Sequence, residues 1–475
     1  MRVHIWGGLV ALWLGGAVVS CGGSSGAIEC RDDTSCDRFP GGDCLVNPVT
    51  GNQFCTYPDG ECPSGMRWSD LDVEDSISGT CVAVSSGDDA GADSSVALDA
   101  GVDAQVAGTV VRLTADDGEA GDGFGHVAIS GDTIAIGAPG DDDSAMNSGA
   151  VYIFEWNEGQ QVWEQTRKLK AGDPTSGAAF GGAVALDGDV LVVGAAGVSN
   201  VGGAYVFERN GSGGWIQTPK LTSGANYDTF GGAVATDGTI VVVGAPGDDT
   251  NAPQSGAVYA YRRGVSSWDF KGKLTDPDSI QDDKLGASVA VTAQWIVTSA
   301  PGYDVTAGFN DGAVYVFETA GQSWLMKPRL VFPSSNGGGA FGSTVSVSGN
   351  VVAAGAQGAA GAGAVVMFGR NAGGVWEPTQ TVTASNSTSG AKFGAAVAVS
   401  GTTMVIGAIG VDSNTGTAYR FDRGVDAWAE TEFLDPAVVV PGAYFGAPVD
   451  ADGSRIVIGA VFDTSSTGAA YVVMY

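Results

Sequence analysis

The sequence predicts an all-β ring, a seven-bladed β-propeller of four-stranded antiparallel blades, preceded by a small disulfide-rich module. Three observations predict it. A Phe-Gly pair recurs at intervals of roughly fifty residues, at Phe124, Phe180, Phe230, Phe341, Phe393 and Phe445, with Leu285-Gly286 filling the one missing place. Between these pairs lie short runs rich in Val, Ile and Tyr, each bounded by Gly, Pro or Asp, which is strand chemistry punctuated by turn chemistry. The runs come in unequal numbers, and a closed ring resolves the mismatch.

The unit starting at Phe230 shows the elements in order. FGGAVAT is closed by Asp237-Gly238, a hairpin signal because both turn residues need positive φ. TIVVVGAP follows and stops at Pro246. After an acidic loop, Gly256 opens the third run, AVYAY, and a fourth runs from Trp268 to Leu274. Elsewhere the second run ends as IGAP (136–139), VGAA (193–196), TSAP (298–301), AGAQ (354–357), IGAI (406–409) and IGAV (458–461). The third starts at Gly149, Gly203, Gly312, Gly363, Gly416 and Gly468, and Trp163, Trp215, Trp324, Trp376 and Trp428 open the fourth. There are seven copies of the first three runs and six of the fourth. The chain stops at Tyr475, just after the seventh third run. Upstream, 109–114 reads as an orphan fourth strand: Leu113 precedes Phe124 by the same interval that separates Leu274 from Leu285. Pairing the two ends of the array closes the ring.

These three motifs, in fixed order over 109–475, resemble FG-GAP repeats, the blades of the integrin α-subunit propeller and of many bacterial surface proteins. The resemblance implies a propeller with a binding role and names no ligand. Integrin-type blades hold calcium in a D-x-D-x-D-G-x-x-D loop between the first two strands. Here that loop is a two-residue turn, as in LDGD (186–189) and SGNV (348–351), so no calcium site is carried over and no cofactor is expected. The one place left for calcium is the longer loops, where Asp141, Asp142, Asp143 and Asn147, or Asp304, Asn310 and Asp311, could converge in a spacing that fits no known cage.

Before the ring the chain reads as four segments. An apolar run, Val3 to Val19, ends Val18-Val19-Ser20-Cys21, which resembles a bacterial lipobox. This makes 1–20 a signal peptide, Cys21 the lipidation site and 21–29 a tether. Gly22 after the cysteine leans, by resemblance to lipoprotein sorting rules, towards the outer membrane. Six cysteines, Cys30, Cys36, Cys44, Cys55, Cys62 and Cys81, fall within 30–82 and none in the ring. In an exported chain they imply three disulfides whose connectivity the sequence leaves open. No CxxC and no His lie among them, which argues against zinc. Residues 83–108 hold Asp, Ala, Gly and Ser without aromatics and read as a disordered acidic linker.

Strand order places the second-to-third loops and the crossovers between blades on one end, the top. These loops are long and acidic, and Asp141, Asp142, Asp143, Asp248, Asp249, Asp304 and Asp311 are the candidate partner-binding residues. A net charge of −31 attracts cations and basic partners and disfavours nucleic acid and anionic lipid, while the same charge also serves solubility. An enzyme is not expected. Only two histidines exist, His4 leaves with the signal peptide, and His126 sits in a strand as a packing residue without a nucleophile motif. The in-register tryptophans read as blade packing. Trp156 and Trp295, off register, are the candidates for carbohydrate contact. The expected function is a lipid-anchored cell-surface binding or adhesion protein, with a monomeric propeller meeting a protein or glycan ligand. The alternatives are a propeller that binds or cleaves extracellular polysaccharide through paired carboxylates, and a passive envelope component.

Overall fold

The computed structural model describes 109–475, apart from 199–200, 226–227, 266, 305–310, 334–338, 426 and 435–438, together with the backbone of 10–14, 17–21, 43–46, 53–58 and 66–68. The chain divides into two compact units, 1–95 and 96–475. In the first, Val10–Leu14 pairs with Ala17–Cys21, and Asp43–Val46, Gln53–Pro58 and Met66–Trp68 form a three-stranded sheet with Cys44 opposite Cys55. Cys30, Cys36, Cys62, Cys81 and the 83–108 linker lie outside the described residues. Among the described residues no helix is long and apolar enough to cross a membrane.

The second unit is the propeller. Its blades 1 to 7 begin their first strands at His126, Ala183, Ala233, Val289, Phe341, Phe393 and Val449, and blades 1 to 6 pair their strands in sequence order. Blade 1 is typical, with His126–Ser130, Thr133–Ala138, Ala150–Asn157 and Val162–Leu169. Blade 7 takes Val449–Asp452, Arg455–Ala460 and Ala469–Met474, and its outer strand is Thr109–Leu113. The orphan strand therefore closes the ring as the sequence predicts, with Leu113 opposite Ala470, Arg112 opposite Tyr471 and Val111 opposite Val472.

Second strands are buried on both faces, such as Ile240–Ala245 along its whole length, because each blade is sandwiched between two others. Apolar clusters accordingly fill the seams between blades. One joins Val111, Leu113 and Val472 of blade 7 to Phe124, Ile136 and Tyr152 of blade 1. The recurring motifs make these seams. Each Phe or Leu of the first motif is buried, Phe124, Phe180 and Phe230 completely. The glycine of the second motif lets the next blade approach: a Cβ on Gly137 would lie 2.0 Å from the carbonyl oxygen of Gly181. Gly149, opening the third strand, has φ +83°, and a Cβ there would lie 2.0 Å from the oxygen of Phe180, so only glycine fits. Backbone-to-backbone contact of this kind explains why Phe-Gly and Gly-Ala-Pro recur together.

Two outer strands depart from the pattern. That of blade 2 is cut to Trp215–Gln217, and that of blade 4 is split into Ser323–Met326 and Leu330–Val331. Pro219 and Pro328, at the same place in each, have no N–H to give the third strand. At the bottom, side-chain oxygens accept backbone N–H groups of the next blade: Ser130 from Gly188, Ser348 from Gly401, Ser400 from Gly453 and Asp452 from Gly131. Asp450 adds a bond from Ile129 N–H at 2.9 Å across the seam between blades 7 and 1.

Candidate functional site

The top face is assembled by the chain path. The loop after Pro139 meets the crossover to blade 2, where the N–H groups of Gly177, Ala179 and Phe180 donate to the carbonyls of Met146, Asn147 and Ser148. Directly beneath sits a tyrosine of the third strand. Tyr152, Tyr205, Tyr259, Tyr315 and Tyr471 each send their hydroxyl up to a loop carboxylate. A cation completes each set from the outer run, one residue before a buried or half-buried leucine: Lys168, Lys220, Lys273, Arg329 and Arg112. Lys168 stands opposite Tyr152, Lys273 opposite Tyr259 and Arg112 opposite Tyr471, so the antiparallel register brings the two together.

This places the predicted candidates unequally. Asp141 is 3% exposed, accepts the Tyr152 hydroxyl at 3.0 Å and pairs with Lys168 at 2.7 Å. Asp248 is 2% exposed, bonded to Tyr259 at 2.9 Å and Lys273 at 2.5 Å. Both carboxylates are thus engaged inside the blade. Asp143 is exposed and bridges Lys168 and Lys170, which hold its carboxyl down at about 2. Asp142 and Asp249 are exposed, Asp304 is half-buried and Asp311 is buried. The structure brings together Asp141 with Asp143, and Asp248 with Asp249, while the two pairs belong to different blades.

Asp117 and Asp276 were legible as acidic top-loop residues but stood outside the candidate set, and Asp173 was missed. These crossover carboxylates bond Tyr152, Tyr205 and Tyr315. Their signal was the Lys-Leu or Arg-Leu pair that ends the outer runs of blades 1 to 4 and the closing strand. The two sources of carboxylate substitute for each other: where the second-to-third loop carries Val198 the crossover supplies Asp173, where the loop carries Asp248 it serves alone, and in blade 1 Asp117 and Asp141 both bond Tyr152. Burial pushes the tyrosine hydroxyls far up, and hydrogen bonding to carboxylates adds to this. Two further buried carboxylates, Asp228 and Asp283, each have one oxygen without a partner among the described residues. Desolvation raises both, with neighbouring carboxylates adding to it.

Blades 5 and 6 lack the arrangement. Val366 replaces the tyrosine of blade 5 and faces Thr381, while in blade 6 Tyr419 donates to Asn386 at 2.7 Å and packs edge-on against Phe433. The off-register tryptophans prove structural. Trp295 is buried against Trp376 with ring centroids 5.2 Å apart, and Trp156 lies against Trp163 under Arg455. Trp295, buried on all sides, offers no ring face to a sugar, while Trp156 is half-buried. Among the described residues no group of three or more His, Cys, Asp or Glu side chains is placed to hold a metal ion.

The FG-GAP repeat model matches residues 108–154, 163–207, 215–261, 268–317, 376–421 and 428–473. The chain belongs to the FG-GAP repeat family. The matches straddle blades, running from an outer strand through the next three strands, and the first includes the closing strand. The unmatched stretch holds the first three strands of blade 5, the blade without tyrosine. No curated protein sequence matches the chain. Solved structures similar to it include a putative 6-phosphogluconolactonase from Bacteroides uniformis, 12% identical over 69% of this chain and 89% of that one, with a TM-score of 0.47. Another is the periplasmic gluconolactonase of Pseudomonas aeruginosa, 12% identical over 66% and 84%, with a TM-score of 0.42. At that distance neither bears on the chemistry of this FG-GAP propeller.

Proposed function

We propose that this FG-GAP propeller is a non-catalytic binding protein of the cell envelope, anchored through lipid on Cys21, whose top face meets a macromolecular partner. The observation that carries the reading is the division of labour on that face. Tyrosine–carboxylate–cation sets hold the loops of five blades from beneath, leaving Asp142, Asp143 and Asp249 at the surface above them. A rigid frame with dissimilar loops is the usual ground for recognition. Exposed carboxylates around a shielded frame favour a basic partner surface.

Crosslinking and pull-down from cell-envelope extract tests it, using the full chain beside a D142N/D249N variant. The expected result is one partner captured by the native chain and lost with the variant. Equal capture by both would move the site off these residues, and turnover of any polysaccharide or lactone by the purified chain would overturn the non-catalytic reading. Loss of labelled fatty acid on Cys21→Ser tests the anchor separately.

A further inference from the structure

We infer that blade 7 is a strand acceptor whose occupant is exchangeable: the edge Ala469–Met474 takes Thr109–Leu113 from its own chain or from a second copy. The edge reads a short code. Val111 and Leu113 are buried against blades 7 and 1, while Arg112 between them reaches Asp463 at 3.0 Å and the Tyr471 hydroxyl at 3.2 Å. Blades 1 to 4 carry the same cation-leucine pair on their own outer strands: Lys168-Leu169, Lys220-Leu221, Lys273-Leu274 and Arg329-Leu330. Blade 7 alone receives it from a residue more than three hundred positions away, so nothing in its own hairpins delivers the strand.

The connection holding this strand to its own ring is slight. Residues 114–123 lead to blade 1 and include Gly118, Gly121 and Gly123, the last two at positive φ. Gly121, Gly123 and Phe124 donate backbone N–H groups to Ser466 and Thr467, so the hinge proper is 114–120, fastened by side-chain contacts at or near the surface: Asp116 N–H to Gln165, and Asp117 to Lys168 and to the Tyr152 hydroxyl. Surface ion pairs of this sort contribute about 0–1 kcal/mol each. Swapping the strand between two identical copies keeps every contact of the acceptor and changes only this hinge, which is the low-cost route to a symmetric dimer. Because an unfilled, continuously apolar edge such as Ala469–Met474 invites pairing, an opened ring accepts the nearest matching strand. Within one chain the high effective concentration favours closure, and crowding of copies shifts the balance.

The test uses two differently tagged full-length chains, one V111C and the other V472C, co-expressed and treated with a short thiol crosslinker. Val111 and Val472 are directly opposed, so a peptide pair joining 111 to 472 across the two tags reports exchange. A V111C/V472C single chain is the register control and is expected to crosslink internally. Lys168→Gln loosens the hinge without touching the acceptor and is expected to raise the crosslinked fraction several-fold, rising further with protein concentration. Internal crosslinking in the control with no inter-tag product at any concentration, with and without Lys168→Gln, would overturn the inference. So would an inter-tag product that Arg112→Gln leaves unchanged.

Discussion

Blades 3 and 5 share one backbone plan and stabilise their tops by opposite means. In blade 3, Tyr259, Asp248 and Lys273 form a buried polar set beneath an acidic loop. In blade 5, Val366 and Thr381 take the corresponding places, and the loop QGAAGAG (357–363) carries no carboxylate. Blade 5 drops tyrosine, carboxylate and cation together, and blade 6, which keeps Tyr419, gives up both charges and supplies the neutral Asn386 instead. The physical reason is that a buried hydroxyl needs an acceptor, a buried carboxylate needs a donor or a cation, and a partial set leaves an orphan. The acidic character of the top face is therefore in part a framework property, separate from whatever the face binds.

The comparison breaks most completely at the part both blades share. Gly244→Val in blade 3 would put a side chain where a Cβ already lies 2.1 Å from the backbone oxygen of Gly286. No cooperative thermal transition is the expected outcome in near-UV circular dichroism. Next comes the polar set. Asp248→Ala orphans Tyr259 and Lys273, and after allowance for the partly exposed lysine it is expected to cost about 2–3 kcal/mol. Asn386→Ala in blade 6, which removes one neutral acceptor from Tyr419, is expected to cost about 1 kcal/mol. Urea titrations of both variants read the difference; equal losses would show that the charge in blade 3 contributes nothing beyond a hydrogen bond.

A smaller effect separates two half-buried titrating groups at the inner strands of blades 7 and 1. Burial raises Asp450 to about 6, its backbone bonds opposing this in part, and burial lowers His126 to about 4. The aspartate binds its proton more readily folded than unfolded, so its contribution is full below its unfolded value and is lost as pH rises through 6. The histidine resists protonation when folded, so its contribution is present above its unfolded value and is lost as pH falls towards 4. The two oppose each other between pH 7 and 5. Asp450→Asn is expected to make acidification destabilising relative to the parent, and His126→Asn to make it stabilising. Urea midpoints at pH 5 and 7 check both signs.

The smallest effect concerns strain. The residue before each Phe or Leu of the first motif is left-handed, including Thr229 at φ 50° and Tyr444 at φ 56°. Only blade 1 uses glycine there, Gly123. For a β-branched residue this conformation is costly, so Thr229→Gly is expected to raise the melting temperature by a degree or two, equivalent to about 0.5–1 kcal/mol.

Much of the ring was legible before any coordinates. Turn pairs such as Asp237-Gly238, strand-length apolar runs and the missing seventh outer strand follow from local chemistry and counting, and Thr109–Leu113 stands where the count requires it. The candidate site was legible only in part. Asp141 and Asp142 are adjacent and alike in sequence, yet one is buried against a tyrosine hydroxyl and the other exposed. Trp295 looked unusual because it broke register, and its break turned out to be a packing solution between blades 4 and 5.

By itself the sequence determined the repeat, the strand order, the closure and the acidic top, because each depends on residue type and spacing along the chain. Only the tertiary structure decided which carboxylates face inward. That choice rests on cross-strand register, which sets Lys273 and Arg112 opposite Tyr259 and Tyr471, and on seams narrow enough to exclude water from the groups they cover.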